Sequence, residues 1–245
     1  MKRWTAFWSI IAKDMRTYYL KPPNISWGLV FPLAWTGMFF VRSGAQPSEL
    51  RALLPGVMTL AVLFGTTSLL AVAITFERRT RSFERLLLAP LPLSLLMFAK
   101  TAGAILFGVL NAFVPLTLAA FITDLSGIAW PTLIAGVVLT AVSSAFLGLL
   151  VAVAVTEVFE AQTLSNFFRF PMIFLCGLFF PLERLPAWLR PLSYALPPTY
   201  GADVMRQGLG QPGLLPLGFE FLILAGFCLG LFLLSLRAVN RRWIA

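Results

Sequence analysis

Six apolar stretches, each near the length that crosses a lipid bilayer, dominate this sequence. A helix needs about 20 consecutive apolar residues to cross the hydrocarbon core. We predict spans over residues 25–41, 53–76, 101–122, 131–155 and 214–236, and a further span that begins between 161 and 170 and ends at 180. Only 12% of the residues are charged, against about 25% in soluble domains. The sequence therefore predicts an all-α integral membrane protein with six transmembrane helices in one domain over residues 1–245.

The basic residues predict how these spans are oriented. With the N-terminus inside, 14 of the 19 lysines and arginines fall on the inner side, whereas the ten acids divide equally. Cytoplasmic loops of membrane proteins carry an excess of lysine and arginine. We therefore expect a multi-pass protein of a prokaryotic cytoplasmic membrane with both termini in the cytoplasm. The net charge of +9 reflects this topology, and its dispersal argues against nucleic acid as a partner.

Residues 1–21 are predicted to form an amphipathic helix that lies in the inner membrane interface. Lys2 and Arg3 are followed by alternating apolar and polar residues and not by a continuous apolar core, so we expect no cleavable signal peptide. The apolar positions recur at helical spacing. They are Trp4, Phe7, Trp8, Ile11, Met15, Tyr18 and Tyr19.

The chain lacks the residues that several kinds of catalysis need. The chain has no histidine, which is the commonest general base and metal ligand, and no G-x-x-x-x-G-K-[ST] loop for a nucleotide phosphate. Cys176 and Cys228 fall in predicted spans without a metal or redox motif, so we expect free thiols. We expect no catalytic residue, metal or cofactor on this chain. The composition favours a pore, a carrier, or the membrane half of a machine whose motor lies elsewhere.

The stretch FERRTRSFERLLLAPLPL at 76–93 predicts a short amphipathic helix on the cytoplasmic side. Between Glu77 and Leu88, apolar residues fall mostly on one side of the helix and arginines on another. Pro90 and Pro92 end the helix, because proline disfavours helical geometry in the residue before it. Two interpretations are open: an anchor on anionic lipid, or a lever that docks in a groove of a soluble partner.

Two blocks of sequence resemble the ABC-2 type transporter permeases, and most closely their drug-resistance and Nod-factor export branch. The first is F-E-R-R-x-R-x-F-E-R-L-L-x-x-P-L, from residue 76 to residue 91. The second is G-L-F-F-P-L-x-x-L-P-x-W-L…P-L-S-Y…P-x-x-Y…D-x-x-R, from residue 177 to residue 206. Many relatives have a glycine-threonine pair where this chain has Arg81-Ser82. This departure leaves the first residue of the cytoplasmic helix open.

The resemblance implies an exporter built from several chains. Two permease copies, identical or related, would pair in the membrane, and two ATP-binding-cassette ATPase subunits would dock beneath them. ATP-Mg would bind to those subunits, and no cofactor would bind to this chain. The permease would itself lack a catalytic site. ATP-driven closure would move spans one, two and five.

The resemblance also implies roles for particular residues. The coupling helix at 77–90 would fit a cleft of the ATPase, and the segment 182–207 would form two short re-entrant helices at the extracellular exit. The coupling residues would be Glu77, Arg78, Arg81, Phe83, Glu84, Arg85, Leu86 and Leu87. The exit residues would be Pro181, Trp188, Tyr194, Tyr200 and Arg206.

Candidate substrate-path residues lie in three predicted spans. If span five begins at 161, Arg169 lies inside the membrane and faces a cavity or partner. If the span begins at 170, Arg169 is an anchor at the inner edge, and the length of its side chain favours this interpretation. The other candidates are Asn111, near a kink at Pro115, and an aromatic stripe on span one that either packs or stacks on substrate. The stripe consists of Trp27, Phe31, Trp35 and Phe39.

Two other functions fit the same sequence. An ATP-independent channel or carrier would need no ATPase partner, and a membrane scaffold would bind a protein without moving a substrate. The sequence leaves drugs, lipids and glycans open as substrates.

Overall fold

The computed structural model describes residues 3–42, 47–178 and 182–244, and within those ranges it contains helices and turns but no strand. The helices are α1 (Arg3–Asp14), α2 (Pro22–Arg42), α3 (Pro47–Leu63), α4 (Leu69–Arg79), α5 (Ser82–Leu87), α6 (Leu93–Ala119), α7 (Trp130–Ala154), α8 (Val158–Leu175), α9 (Arg190–Tyr194), α10 (Pro197–Gly208) and α11 (Leu217–Val239). π-helical turns lie at Met15–Tyr19, Phe64–Ser68 and Asn240–Ile244. The all-α prediction is therefore confirmed.

Long apolar helices form the membrane domain. Within the described ranges, four segments are long and apolar enough to cross a membrane: Leu50–Arg79, Leu93–Ala119, Trp130–Ala154 and Leu217–Trp243. They correspond to predicted spans two, three, four and six. The first of them joins α3 and α4 through the π-helical turn. The third predicted span was placed too late, because the helix begins directly after Pro92, which is in extended geometry and serves as its N-cap.

Helices are also present where spans one and five were predicted. α2 has 21 residues and α8 has 18, so at about 1.5 Å per residue each is near bilayer thickness. Their crossing of the membrane stays a prediction. The predicted end of span five at Phe180 is wrong, because α8 ends at Leu175 and Gly177 takes a left-handed φ of 69°. Such a φ closes a helix readily at glycine.

α7 lies at the centre of the bundle and contacts α3, α4, α6, α8, α10 and α11. Buried residues recur along its whole length, from Leu133 to Val153. Glycine permits close packing of α10 near the first end of α7, because a Cβ at Gly208 would lie 2.9 Å from the Leu133 backbone. This central helix therefore joins the two ends of the molecule.

Polar side chains sort the loops onto two ends of the bundle. At one end, the Arg51 guanidinium donates hydrogen bonds to the carbonyls of Asp124 and Leu209, at 3.1 and 3.0 Å. At the other end, Arg78 and Arg242 donate to carbonyls at the end of α7. This grouping agrees with the predicted topology. Which end faces the cytoplasm stays a prediction.

Candidate functional site

A sharp turn joins α4 to α5, and we refer to residues 76–88 as the elbow. α4 ends at Arg79, Arg81 takes a left-handed φ of 56°, and α5 begins at Ser82. The predicted continuous helix from Glu77 to Leu88 is therefore wrong. A left-handed residue cannot continue a right-handed helix, and glycine adopts that φ with the least strain.

The elbow is fixed to the last helix by aromatic contacts. Phe83 is 1% exposed and packs edge-on against Trp243, with ring centroids 4.9 Å apart. The Arg78 guanidinium lies 4.4 Å from the centroid of the Trp243 ring. Burial of a phenylalanine side chain stabilises by about 1.5–3 kcal/mol. A movement of α5 would therefore carry the end of α11 with it.

Two arginines bind the open carbonyls at the end of α7. Arg78 donates to the carbonyls of Ala152 and Val155, at 3.4 and 3.2 Å. Arg242 donates to the carbonyl of Val153 at 3.1 Å. The last carbonyls of a helix lack intrahelical partners, and the helix dipole attracts cations there. The elbow, α7 and α11 are thus joined at one point.

The remaining predicted coupling residues differ in exposure. Arg81, Glu84 and Arg85 are exposed, and Leu86 and Leu87 are half-buried against the core. Leu88, at the end of α5, is 86% exposed. The elbow therefore presents mixed charges and two large apolar side chains, Phe76 and Leu88, to its surroundings.

Glu77 lies in a buried ion network and not on the exposed face of the elbow. It is 1% exposed and contacts the ammonium groups of Lys13 and Lys100. Asp14 accepts hydrogen bonds from Lys100 at 3.0 and 3.1 Å and pairs with Lys13 at 2.9 Å. The two positive charges of the lysines equal the two negative charges of the carboxylates. The network ties α1, α4 and α6 together, and Glu77 itself has no access to a partner protein.

Burial and neighbouring charges shift the pKa values of groups that α1 and its π-helical turn place in or near this network. It raises the pKa of Asp14, and the nearby Lys100 ammonium opposes the shift. It also raises the pKa of Tyr18 to about 12, with the Glu77 carboxylate acting in the same direction. Burial alone would lower the pKa of Lys13, but the hydrogen bond to Glu77 and the Asp14 charge outweigh it, so the net shift is upward.

Sequence reasoning missed this network because its members are far apart in the chain. Asp14 and Lys100 are separated by 86 positions. One signal was available. Lys100 interrupts an apolar run that begins at Leu93, and a lysine inside a membrane helix needs a carboxylate or backbone partner.

Arg169 lines a cavity of about 420 Å³. It is 3% exposed, its guanidinium lies 3.7 Å from the centroid of the Phe64 ring, and it donates a hydrogen bond to Asn166. α8 begins at Val158, eleven residues before Arg169. Its burial beside this cavity favours the interpretation in which Arg169 faces a cavity, and its depth in the membrane stays a prediction. The cavity is lined by Asn24, Phe64, Ser68, Leu69, Gln162, Asn166, Arg169 and Phe170.

The start of α8 could have been read from the sequence. Glu157 and Glu160 form a capping box, in which each side chain accepts a hydrogen bond from the backbone of the other residue. Glutamate at the third helical position is part of the capping-box pattern, and acidic residues are enriched in the first turn of a helix. The polar residues that follow then belong to α8, and with them Arg169.

The other candidate substrate-path residues lie elsewhere. Asn111 is buried, and its amide nitrogen would lie 2.9 Å from a Cβ at Gly28 and 2.7 Å from one at Gly65. It therefore packs between α2 and the π-helical turn at Phe64–Ser68 and does not line the cavity at Arg169. The side chains of Trp27, Phe31, Trp35 and Phe39 lie outside the described residues.

Two short helices, α9 and α10, occupy the segment 182–207. Tyr200 is buried and donates a hydrogen bond to the carbonyl of Tyr194 at 2.7 Å. Arg206 pairs with Asp203 at 3.2 Å and donates to the carbonyl of Gly177. The re-entry of these helices into the membrane stays a prediction. Trp188 is 77% exposed, and Pro181 lies outside the described residues.

The long apolar helices, with the charged elbow at one end and the cavity at Arg169 beside α8, define a polytopic membrane protein. Residues 5–209 match the family described as ABC-2 type transporter. The chain belongs to that family.

Curated relatives agree with this assignment. The chain is similar to the inner membrane transport permease YadH of Escherichia coli K12, with 24% identity over 246 residues, covering 97% of this chain and 96% of the relative. Proteins of the same name in Escherichia coli O157:H7 and Shigella flexneri show the same identity and coverage. The family assignment and the long apolar helices therefore describe a multi-pass membrane protein of the ABC-2 type transporter family.

Proposed function

We propose that this chain is the permease subunit of an ATP-driven exporter in a prokaryotic cytoplasmic membrane. It pairs with a second permease, and a separate ATP-binding-cassette subunit binds ATP-Mg and docks on the elbow. Its substrate is a drug, lipid or glycan. The observation that carries this proposal is the elbow itself. A short helix with exposed charges is fixed by a buried phenylalanine to the end of the last span.

The residues of the elbow fall into two groups, which differ in exposure. Arg81, Glu84, Arg85 and Leu88 are exposed, and we assign them to direct contact with the ATPase. The buried and half-buried residues hold the elbow to the bundle: Glu77, Arg78, Phe83, Leu86 and Leu87. A push on the exposed side would therefore reach α4, α7 and α11 through side chains that are already packed.

The charge distribution supports cytoplasmic placement of the elbow. The elbow, the end of α11 and α1 share one end of the bundle, and most basic residues lie there. An excess of lysine and arginine is typical of the cytoplasmic side. α1 exposes Trp4 and Trp8, at 72% and 61%, which suits a helix that lies in the inner interface. The segment 182–207 then lies at the outer end.

Co-purification of the tagged chain with its co-expressed ATP-binding subunit tests this assignment. We expect the double variant Arg85→Glu with Leu88→Glu to lose the subunit, because both side chains are exposed and neither holds the elbow together. Arg184→Glu is the matched control, since Arg184 is exposed at the opposite end. Retention of the ATP-binding subunit by the double variant would show that the elbow is not the docking site.

An ATP-independent carrier is the second candidate function. The cavity at Arg169 favours it, because the chain forms this cavity without any partner. A carrier would move its substrate along a gradient in vesicles that contain this chain alone. The exporter would not.

A further inference from the structure

We propose that the cavity at Arg169 binds the anionic head group, a phosphate or carboxylate, of an amphiphilic molecule. The first observation is an uncompensated charge. Throughout the described ranges, no carboxylate lies within ion-pairing distance of Arg169. A charge inside a membrane helix is costly unless it faces a cavity or a partner. An anionic ligand would supply the missing partner.

The guanidinium has hydrogen-bonding capacity to spare. Arginine has five N–H donors in a planar fork that matches carboxylate and phosphate. Asn166 accepts one of them, and the Phe64 ring covers one face of the group. The Arg169 Nε is buried and has no hydrogen-bond partner within the described part of the chain, and the same holds for the Ser68 Oγ beside it. The Arg169 Nε–H and the Ser68 hydroxyl can therefore donate hydrogen bonds to an acceptor atom of a bound ligand.

The lining of the cavity combines polar and apolar surface. Asn24, Gln162 and Asn166 contribute amides near the arginine. Leu69 and Phe170 contribute apolar surface. Small-molecule sites commonly have volumes of about 300–1,000 Å³ and combine apolar walls with a few polar groups. A head group on Arg169 with a hydrocarbon tail along the apolar side matches this arrangement better than a fully polar ion.

A binding measurement tests the proposal without transport. The chain is placed in nanodiscs of zwitterionic lipid, and binding of dodecyl phosphate is compared with that of dodecyltrimethylammonium and of inorganic phosphate. We expect dodecyl phosphate to bind at least tenfold more tightly than either other probe, about the effect of one hydrogen bond to a charged group. Equal binding of the cationic amphiphile would overturn the proposal. Equal binding of inorganic phosphate would overturn the amphiphilic part.

Variants locate the bound head group. Arg169→Gln is expected to weaken dodecyl phosphate binding about tenfold or more, whereas Arg169→Lys keeps most of it. Arg184→Gln, which removes an exposed arginine outside the cavity, is expected to change nothing. Unchanged binding in Arg169→Gln would place the anion elsewhere. The comparison of probes on the unmodified chain stands even if a variant fails to fold.

The inference rests on the proposed function only where the bound amphiphile is taken as the exported substrate. Binding is measured without ATP or an ATP-binding subunit. Loss of anion selectivity would leave the docking of the ATPase on the elbow untouched. Loss of docking would equally leave the anion site untouched.

Discussion

Two buried cations, Lys100 and Arg169, lie in contrasting surroundings. Lys100 is 2% exposed and Arg169 is 3% exposed. Lys100 contacts two carboxylates, from Asp14 and Glu77, whereas Arg169 contacts an amide and an aromatic ring. The first charge is neutralised within the fold. The second is left for a molecule that enters the cavity. Equal burial therefore does not imply an equal role.

The positions of the two cations fit this division. The network of Lys100 joins α1, α4 and α6 beneath the elbow, where a rigid attachment would transmit force. The cavity at Arg169 lies between α2, the π-helical turn at Phe64–Ser68 and α8. π-Helical turns occur frequently at functional sites. These segments correspond to predicted spans one, two and five, which the resemblance to exporter permeases implies would move during transport.

The largest expected effect follows from Lys100→Met. Removing one member of a buried ion network leaves an unpaired charge, which costs about 3–5 kcal/mol. We expect a marked fall in melting temperature and in the yield of folded protein in nanodiscs. A stability equal to that of the unmodified chain would show that the network does not hold α1 in place.

A double variant sharpens the same point. Lys100→Met combined with Glu77→Gln removes one charge of each sign and leaves Lys13 paired with Asp14. The combined loss should be smaller than the sum of the two single losses, by about 0.5–3 kcal/mol. Thermal unfolding of all four proteins completes the cycle. Strict additivity would mean that Lys100 and Glu77 do not act as a pair.

Asp14→Asn is expected to cost less than Lys100→Met, because burial already favours the neutral form of Asp14, and the effect depends on pH. Burial raises the pKa of Asp14, so the folded chain keeps this proton to a higher pH than the unfolded chain. The resulting stability is present below the unfolded pKa and is lost as pH rises through the folded pKa. Melting temperatures measured from acidic to neutral pH should show this decline in the unmodified chain. The decline should be shallower in Asp14→Asn, and identical slopes would contradict it.

Arg169→Met should change stability least. Because no carboxylate among the described residues pairs with Arg169, its removal leaves no unpaired charge behind in that part of the chain and ends the cost of burying one. We expect an unchanged or slightly higher melting temperature, in contrast to Lys100→Met. A loss as large as that of Lys100→Met would mean that Arg169 stabilises the fold, and the contrast between the two cations would fail.

The long helices were predictable because apolar runs of membrane length are a local property of the sequence. The elbow was predicted as one helix, because a left-handed φ at an arginine has no clear local signal. The ion network required Lys100 to meet Asp14 and Glu77 across three helices, and periodicity does not encode such contacts. The placement of Arg169 within α8 depends on the start of that helix at Val158. The capping box of Glu157 and Glu160 is a local signal for this start.

The most direct test of the account measures ATP hydrolysis by the ATP-binding subunit in proteoliposomes, with and without this permease. We predict that the permease raises the hydrolysis rate, and that the double variant Arg85→Glu with Leu88→Glu removes the increase while Arg184→Glu retains it. The same rate with and without the permease, together with substrate movement by this chain alone, would contradict an ATP-driven exporter.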